Sequence, residues 1–473
     1  MTRASLFTGL AVLLFLPALQ AADFEADFLD RTMRLDFFHT GGQGVEIISL
    51  DQVISDGPWP GSRTRLVDDT NLGKYLFSVH DSASEELLYS RGFASIFGEW
   101  VTTSEASSTH RTFHESLRFP WPRRPVRVVL EQRDARNEFE ALWSTEIDPD
   151  SRFVNPADRA PTARVWPVLE SGPPQDKVDL VLVADGFTAE EMPRFHNDAR
   201  RLVEALFRWE PFKSRRSDFN VWAVDVVSAE SGVSRPRAGE FRRNPIGTSF
   251  NAFDSERYVL TYDNRAMRDA AAAAPYEYLE VLVNEEQYGG GGIFANFATA
   301  STGAGFAEYL FVHEFGHHFA GLGDEYYTSP VSYATGATDL PEPWEPNVTA
   351  LHDPENLKWA DLAEETTPLP TPWSKQAYDS QSRAFQARRA ELRSQGVSEE
   401  VMDEYFREVR DWSTEFLGAE EHAHAVGAFE GASYEATGLY RPQADCIMFT
   451  RDEVGFCAVC RQAIERVIDL YSR

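Results

Sequence analysis

Apolar and polar positions alternate along much of residues 24–150. The stretches "MRLDFFHTGGQGVEIISLDQVI", "KYLFSVHD", "ESLRFPWPRRPVRVVLEQRD" and "EFEALWSTEIDP" each carry a two-residue period interrupted by Gly, Pro or Asp, the pattern of half-buried strands. They predict an antiparallel, all-β sandwich-like domain over residues 22–150. A polar, Pro-containing stretch, 151–177, reads as a linker. From Val178 to Val183 the apolar run is continuous, as in a strand buried on both faces, and Asp185-Gly186 breaks it. Thr188 and Glu191 then have capping-box spacing, and Met192, Phe195, Ala199, Leu202 and Leu206 follow at steps of three and four, which predicts an amphipathic helix.

"FNVWAVDVVSA" and "YVLTY" read as further strands, and "YLEVLVNEEQYGGGGIFANFATAS" as a strand, a glycine-rich turn and a second strand. A helix is expected from near Phe306. Residues from 329 to about 420 show helical spacing with alternating charge, a solvated helical insertion. The chain closes with a helix from Cys457 onward. Strands and helices in this mixture make the fold class α+β.

With 473 residues, 42% hydrophobic and 13% aromatic, the chain can bury a large core in two or three domains, which excludes overall disorder. Lys plus Arg is 45 against 75 for Asp plus Glu, a net charge of −30 that repels phosphate backbones and anionic headgroups. Nucleic acid is therefore not an expected partner. Arg3, the apolar run Leu6 to Leu16 and the small-residue end Gln20-Ala21-Ala22 form a secretory signal, residues 1–21, shorter than the roughly 20 apolar residues of a membrane span. The mature chain is expected to be exported, periplasmic or secreted, with no membrane insertion after cleavage.

The chain has three cysteines, Cys446, Cys457 and Cys460. Four thiolates would close a structural zinc site, so three fall one ligand short unless a histidine joins. One disulfide and one spare thiol is the arrangement expected in an oxidising compartment.

The densest chemistry lies in "FVHEFGHHFAGLGDEYY", residues 311–327. His313 and His317 stand one helical turn apart on one face, so both imidazoles can reach one metal, with Glu314 beside them as a base. Phe311, Phe315 and Phe319 mark a different face, turned to the sheet. Gly316 costs about 1 kcal/mol relative to Ala in a helix, which points to another backbone packed close there. Gly321 and Gly323 supply a stop and a turn, after which Asp324 or Glu325 can swing back as a third ligand. His318 points about 100° away from His317, as a supporting or surface group. His422 and His424 read as solvated helix residues.

The segments "LVADGFTAEEM", "FNVWAVDVVSAESGVS", "GGGGIFANFATAS", "HEFGHHFAGLGDEYY", "VGAFEGASYEATGLYRP" and "DCIMF…FCAVC" together resemble a known family. They are similar to the zinc metallopeptidases named for an immunoglobulin A peptidase, placed among the metzincin-like enzymes. The resemblance spans most of residues 176–473, and the β-rich module looks like the N-terminal domain that accompanies that family. It implies a metzincin-like zincin catalytic domain, 178–473, with a twisted mixed sheet, an active-site helix and a methionine turn at Met448.

It also implies one Zn2+ per chain on His313 and His317, with Glu314 as general base, and a protein or peptide substrate. Metzincins usually place the third ligand six residues after the second histidine. That position is Gly323 here, so Asp324, one residue later, is the favoured ligand and Glu325 the second choice. By the same resemblance Cys446 ties the methionine turn to Cys457 or Cys460, and Gly291, Gly292, Ile293, Phe294 and Ala295 form an edge strand that pairs with an extended substrate. Tyr326, Tyr327 and Tyr440 are candidates to hydrogen-bond the oxyanion. The function expected is an exported zinc endopeptidase. The alternatives are a secreted protein- or glycan-binding module with a structural zinc site, or a cell-wall peptide amidase.

Overall fold

The computed structural model describes residues 22–158, 163–328 and 340–473, so the signal segment read at 1–21 lies outside the described residues. The alternating N-terminal stretches form two four-stranded sheets. One runs Arg111–Pro122, Phe28–Gly42, Val45–Ser55, Val154–Asn155; the other runs Leu87–Phe93, Tyr75–Asp81, Val126–Arg133, Phe139–Ile147. Their facing side chains, among them Met33, Leu35 and Phe37 against Tyr75, Phe77 and Val79, share one apolar core. Arg34 and Asp36, on the opposite face of the first sheet, are also fully buried. Arg34 pairs there with Asp56 at 3.0 Å and with Asp269 of the following domain at 2.8 Å. The sandwich is thus docked through a charged face, because a buried guanidinium requires anionic partners.

The stretch read as a linker, 151–177, contributes strands at two points. Val154–Asn155 closes the first N-terminal sheet, and β1 (Arg164–Leu169) is an edge strand of the next domain. That domain holds a six-stranded mixed sheet of β1, β2 (Val178–Asp185), β3 (Phe219–Asp225), β4 (Tyr278–Val283), β5 (Gly290–Ile293) and β6 (Phe297–Ser301), in the order β5-β6-β4-β2-β3-β1. β2 has parallel partners on both sides and all eight of its residues are buried, which accounts for its unbroken apolar run. Thr188 and Glu191 form the expected capping box ahead of α1 (Met192–Leu206).

Two strand and turn readings change as well. "YVLTY" forms only isolated bridges, Tyr258 to Gly290 and Leu260 to Ser249. The glycines are not a turn either: they are β5 itself, and the chain reverses at Phe294–Asn296, where Ala295 takes φ 52°.

After α2 (Asn264–Ala271) and the sheet comes α3 (Ala307–Ala320), packed on β5 and β6. The insertion contains α4 (Lys375–Ser394) and α5 (Glu399–Gly418). It is not solvated all round: Tyr378, Phe385, Trp412 and Phe416 stack between the two helices, and Phe406 meets Phe306. A hairpin, β7 (Phe429–Ala432) with β8 (Glu435–Arg441), and the C-terminal α6 (Ala458–Tyr471) complete the domain.

Candidate active site

The helix α3 is built for two tasks. Phe311, Phe315 and Phe319 are fully buried and stack along its sheet-facing side, Phe315 and Phe319 with centroids 5.0 Å apart. The helix ends at Gly321, whose φ of 60° is the left-handed cap that glycine adopts without penalty. Gly316 is explained by side chains and not by a backbone. A Cβ there would lie 3.0 Å from Met448 Sδ and 3.2 Å from Phe456. Met448 is fully buried directly beneath the turn that carries His317.

Three donor atoms converge on the other face. His313 Nε2 lies 3.1 Å from Asp324 Oδ1 and 3.1 Å from His317 Nε2, and His317 Nε2 lies 3.2 Å from Asp324 Oδ1. The far side of each ring is anchored: His313 Nδ1 donates to Ile447 O at 3.0 Å and His317 Nδ1 to Leu322 O at 2.5 Å. Neutral rings held in those tautomers leave three lone pairs facing one another with no hydrogen between them, an arrangement that only a cation relieves. A metal at the usual distances of about 2.0–2.1 Å needs such ligand atoms roughly 3.3 Å apart, close to the observed edges. A proton is the weaker substitute. Against the downward effect of burial, Asp324 raises the His317 imidazole to about 9, and the two histidines hold the Asp324 carboxyl well below its usual range despite its own burial. Glu314 stands beside this cluster, its carboxyl pushed up by burial while His313 and His317 pull it down.

The neighbouring carboxylates separate. Asp324 joins the histidines, whereas Glu325, the second-choice ligand, turns away and groups with Cys446, Cys457 and Cys460. All three thiols are free and buried, so the expected disulfide is not formed. Among the tyrosines, Tyr326 borders the site and accepts from Arg257 at 2.7 Å. Tyr327 faces the insertion instead, donating to Asp379 at 2.6 Å, and Tyr440 pairs by its backbone with Thr349, away from the cluster.

Two tyrosines touch the candidate ligands: Tyr309 Oη lies 3.2 Å from His313 Nδ1, and the Tyr434 hydroxyl donates to Asp324 Oδ2. Tyr434 was not singled out in the sequence, although it lies in a segment that carries the resemblance. Ser433 and Tyr434 form the hairpin tip with φ of 47° and 67°, a costly conformation for residues with a Cβ. The tip is held there because Ser433 N–H donates to Asp324 O at 2.8 Å and Tyr434 N–H to Tyr326 O at 3.0 Å.

His318 is neither supporting a ligand nor at the surface. It is fully buried, donates from Nδ1 to Ile293 O and accepts at Nε2 from Leu279 N–H, and burial lowers it to about 3, so it is a neutral bridge between β4 and β5. His422 and His424 lie in a turn past α5, remote from the donors.

The glycines of β5 allow helix and sheet to touch. A Cβ on Gly292 would meet Glu314 O at 2.3 Å and His317 Cβ at 2.9 Å. Much of this strand's outer edge is already taken. Gly290 pairs with Arg257 and Val259, Phe294 O accepts from Ala94 N–H of the N-terminal sandwich, and Ala295 N–H donates to His318 O. Gly291 packs on the Tyr258 ring and Ile293 is buried. The cleft beside Gly292 has a volume of about 530 Å³. Part of its wall comes from the sandwich, through Lys74, Glu99 and Arg133. Burial raises Glu99 to about 7, although the Tyr258 hydroxyl donates to it.

A candidate cation site with a carboxylate beside it, opening on a cleft of about 530 Å³, fits the class of metallopeptidases, hydrolases of peptide bonds. The chain belongs to the IgA Peptidase M64 family, whose model matches residues 166–468, and a model described as Peptidase M64 N-terminus matches residues 23–144. Among curated proteins nothing matches. Its substrate is accordingly a protein or peptide. No helix among the described residues is long and apolar enough to cross a membrane.

Proposed function

We propose that this peptidase is an exported, zinc-dependent endopeptidase of metzincin-like build, with His313, His317 and Asp324 as metal ligands and Met448 as the methionine-turn residue beneath them. The observation that carries the reading is the set of three converging lone pairs, 3.1–3.2 Å apart, with both imidazoles anchored from behind. Export is supported by the apolar start of the chain, "MTRASLFTGLAVLLFLPALQAA".

Zinc bound there supplies a Lewis acid for the scissile carbonyl and brings the pKa of a water toward about 7. Glu314 accepts the proton of the attacking water and returns it to the leaving amine, a role that suits a carboxyl raised by burial. Tyr434 swings its O–H from Asp324 to the developing oxyanion, and Tyr326, held by Arg257, limits where that oxygen sits. The backbone of Gly292 offers an extended substrate a short stretch of strand pairing. Side-chain preference is read by Lys74, Glu99 and Arg133, which the sandwich contributes to the cleft wall.

The test is cleavage of an unfolded protein by the purified chain, followed by mass spectrometry. Internal cuts that stop on chelation and return with zinc are expected. Undiminished cleavage by chelated protein, or release of terminal residues alone, overturns the reading.

A further inference from the structure

The three cysteines that lacked a fourth partner in the sequence acquire one in the fold. Glu325, Cys446, Cys457 and Cys460 each present one ligand atom, and all four atoms lie within 4.8 Å of one another. Cys446 Sγ is 3.9 Å from Cys460 Sγ, and Glu325 Oε1 is 3.8 Å from Cys457 Sγ and 3.4 Å from Cys460 Sγ. A tetrahedral zinc with Zn–S of about 2.3 Å and Zn–O of about 2.0–2.2 Å has S–S edges of roughly 3.8 Å and S–O edges of roughly 3.6 Å. The two S–O edges bracket the ideal value, and the S–S edge lies about 0.1 Å above its own.

We infer that Glu325, Cys446, Cys457 and Cys460 form a second, structural zinc site, closed by four protein ligands and separate from the histidine cluster.

Further observations favour bound thiolates over packed thiols. The N–H groups of Met448 and Cys457 point at Cys446 Sγ, at 3.5 and 3.3 Å, and that of Cys460 points at Cys457 Sγ at 3.4 Å. Backbone donors aimed at sulfur stabilise the anion, and Cys457 and Cys460 open the first turn of α6, where the helix dipole does the same. The carboxylate is only partly satisfied: Oε1 accepts from Asn347 at 3.0 Å, while Oε2 is buried with no hydrogen-bond partner among the described residues. Four acidic groups confined in an apolar interior, with exposures of 5% or less, require a cation if they ionise. The fully buried Arg441, which donates to the carbonyls of Gly431 and Ala444, attracts the Glu325 carboxylate and offsets part of the remaining negative charge.

Thiolates select soft or borderline ions, and three sulfurs with one carboxylate in a tetrahedron suit Zn2+. With no side open to the cleft, the ion would act on the fold alone. It would staple α6 and the turn of Met448 to the segment after α3, where Glu325 N–H already donates to Met448 O at 2.9 Å. That segment carries Asp324, and Ile447 in the turn anchors His313.

The test counts zinc in the full chain and in a double variant, His313→Ala with His317→Ala. About two ions per wild-type chain are expected and about one in the double variant, released only when a mercurial thiol reagent is added. Cobalt loaded into the double variant should show an intense near-ultraviolet thiolate-to-metal absorption, which the histidine cluster cannot produce. This second readout does not depend on cysteine variants that could fail to fold. No zinc in the double variant together with three titratable thiols, or a disulfide between any two of the cysteines found by non-reducing mass spectrometry, overturns the inference. Zinc that stays with the cysteines while wild type also binds one ion sinks the catalytic reading instead.

Discussion

Asp324 and Glu325 are consecutive carboxylates that end in two different donor sets. Asp324 meets two imidazoles at the floor of a cleft, three donors with one side open; Glu325 meets three sulfurs in the core, four donors with none open. The segment is pinned from both sides: Asp324 O accepts from the hairpin tip at Ser433, and Glu325 N–H donates to the turn at Met448. Each residue therefore faces the layer its own backbone pairs with. With a metal in each, access to water and ligand softness would decide what each set does, chemistry in the first and tethering in the second.

The comparison breaks most visibly at the base. Glu314→Gln is expected to cut peptide hydrolysis by about 1,000-fold, within the range of general acid–base catalysis, with the metal count unchanged. A variant that cleaves at the wild-type rate removes Glu314 from the mechanism. Next comes Tyr434→Phe, which deletes one hydroxyl at Asp324. A fall in kcat of about 100-fold with KM little altered is expected for a lost oxyanion donor. A change confined to KM would make Tyr434 a substrate contact.

The two carboxylates can be set against each other directly. Asp324→Asn should weaken zinc at the histidine cluster by at least about 10–100-fold, seen as activity that needs added zinc. Glu325→Gln should leave that requirement as in wild type and lower the Tm. If both variants behave alike, the two donor sets are not independent.

Much of this site was legible because its signals are local. His313, Glu314 and His317 share a helix whose start, apolar stripe and glycine stop are all written within residues 306–321, and α3 spans Ala307–Ala320. The burial of β2 was legible for the same reason. What escaped depended on contacts distant in sequence. Tyr434 lies 110 residues from the Asp324 it touches, and Glu325 lies 132 residues from Cys457. No periodicity reports such a pairing. The glycines of β5 supported two readings, a turn and an edge strand, because glycine marks both turns and close approaches. Only the helix packed against them shows which one applies.

Those glycines give a smaller prediction. Gly292→Ala drives a methyl group into Glu314 O and His317 Cβ, contacts of 2.3 and 2.9 Å that backbone atoms cannot escape cheaply. A loss of roughly 1–3 kcal/mol is expected, measured by denaturant unfolding, with a lowered kcat because base and ligand move with the helix. Unchanged stability would mean that β5 has room to withdraw.

The last effect is a shift in pH dependence, and it contrasts the candidate metal clusters with a histidine set between two carboxylates. His39 lies in the sandwich with Nε2 2.7 Å from Glu46 and Nδ1 3.1 Å from Glu115, so both ring nitrogens face carboxylates and neither faces a second imidazole. Burial lowers its pKa, but Glu115 and Glu46 more than compensate and the net shift is upward. A histidine raised on folding stabilises the fold fully below its unfolded value of about 6.5, and the contribution is lost as pH rises through the folded value. Wild type should therefore lose Tm over that window. His39→Gln, which carries no titrating ring, should start lower and lose less, so the two curves converge toward alkaline pH. Parallel curves would show that the His39 ring is not raised on folding.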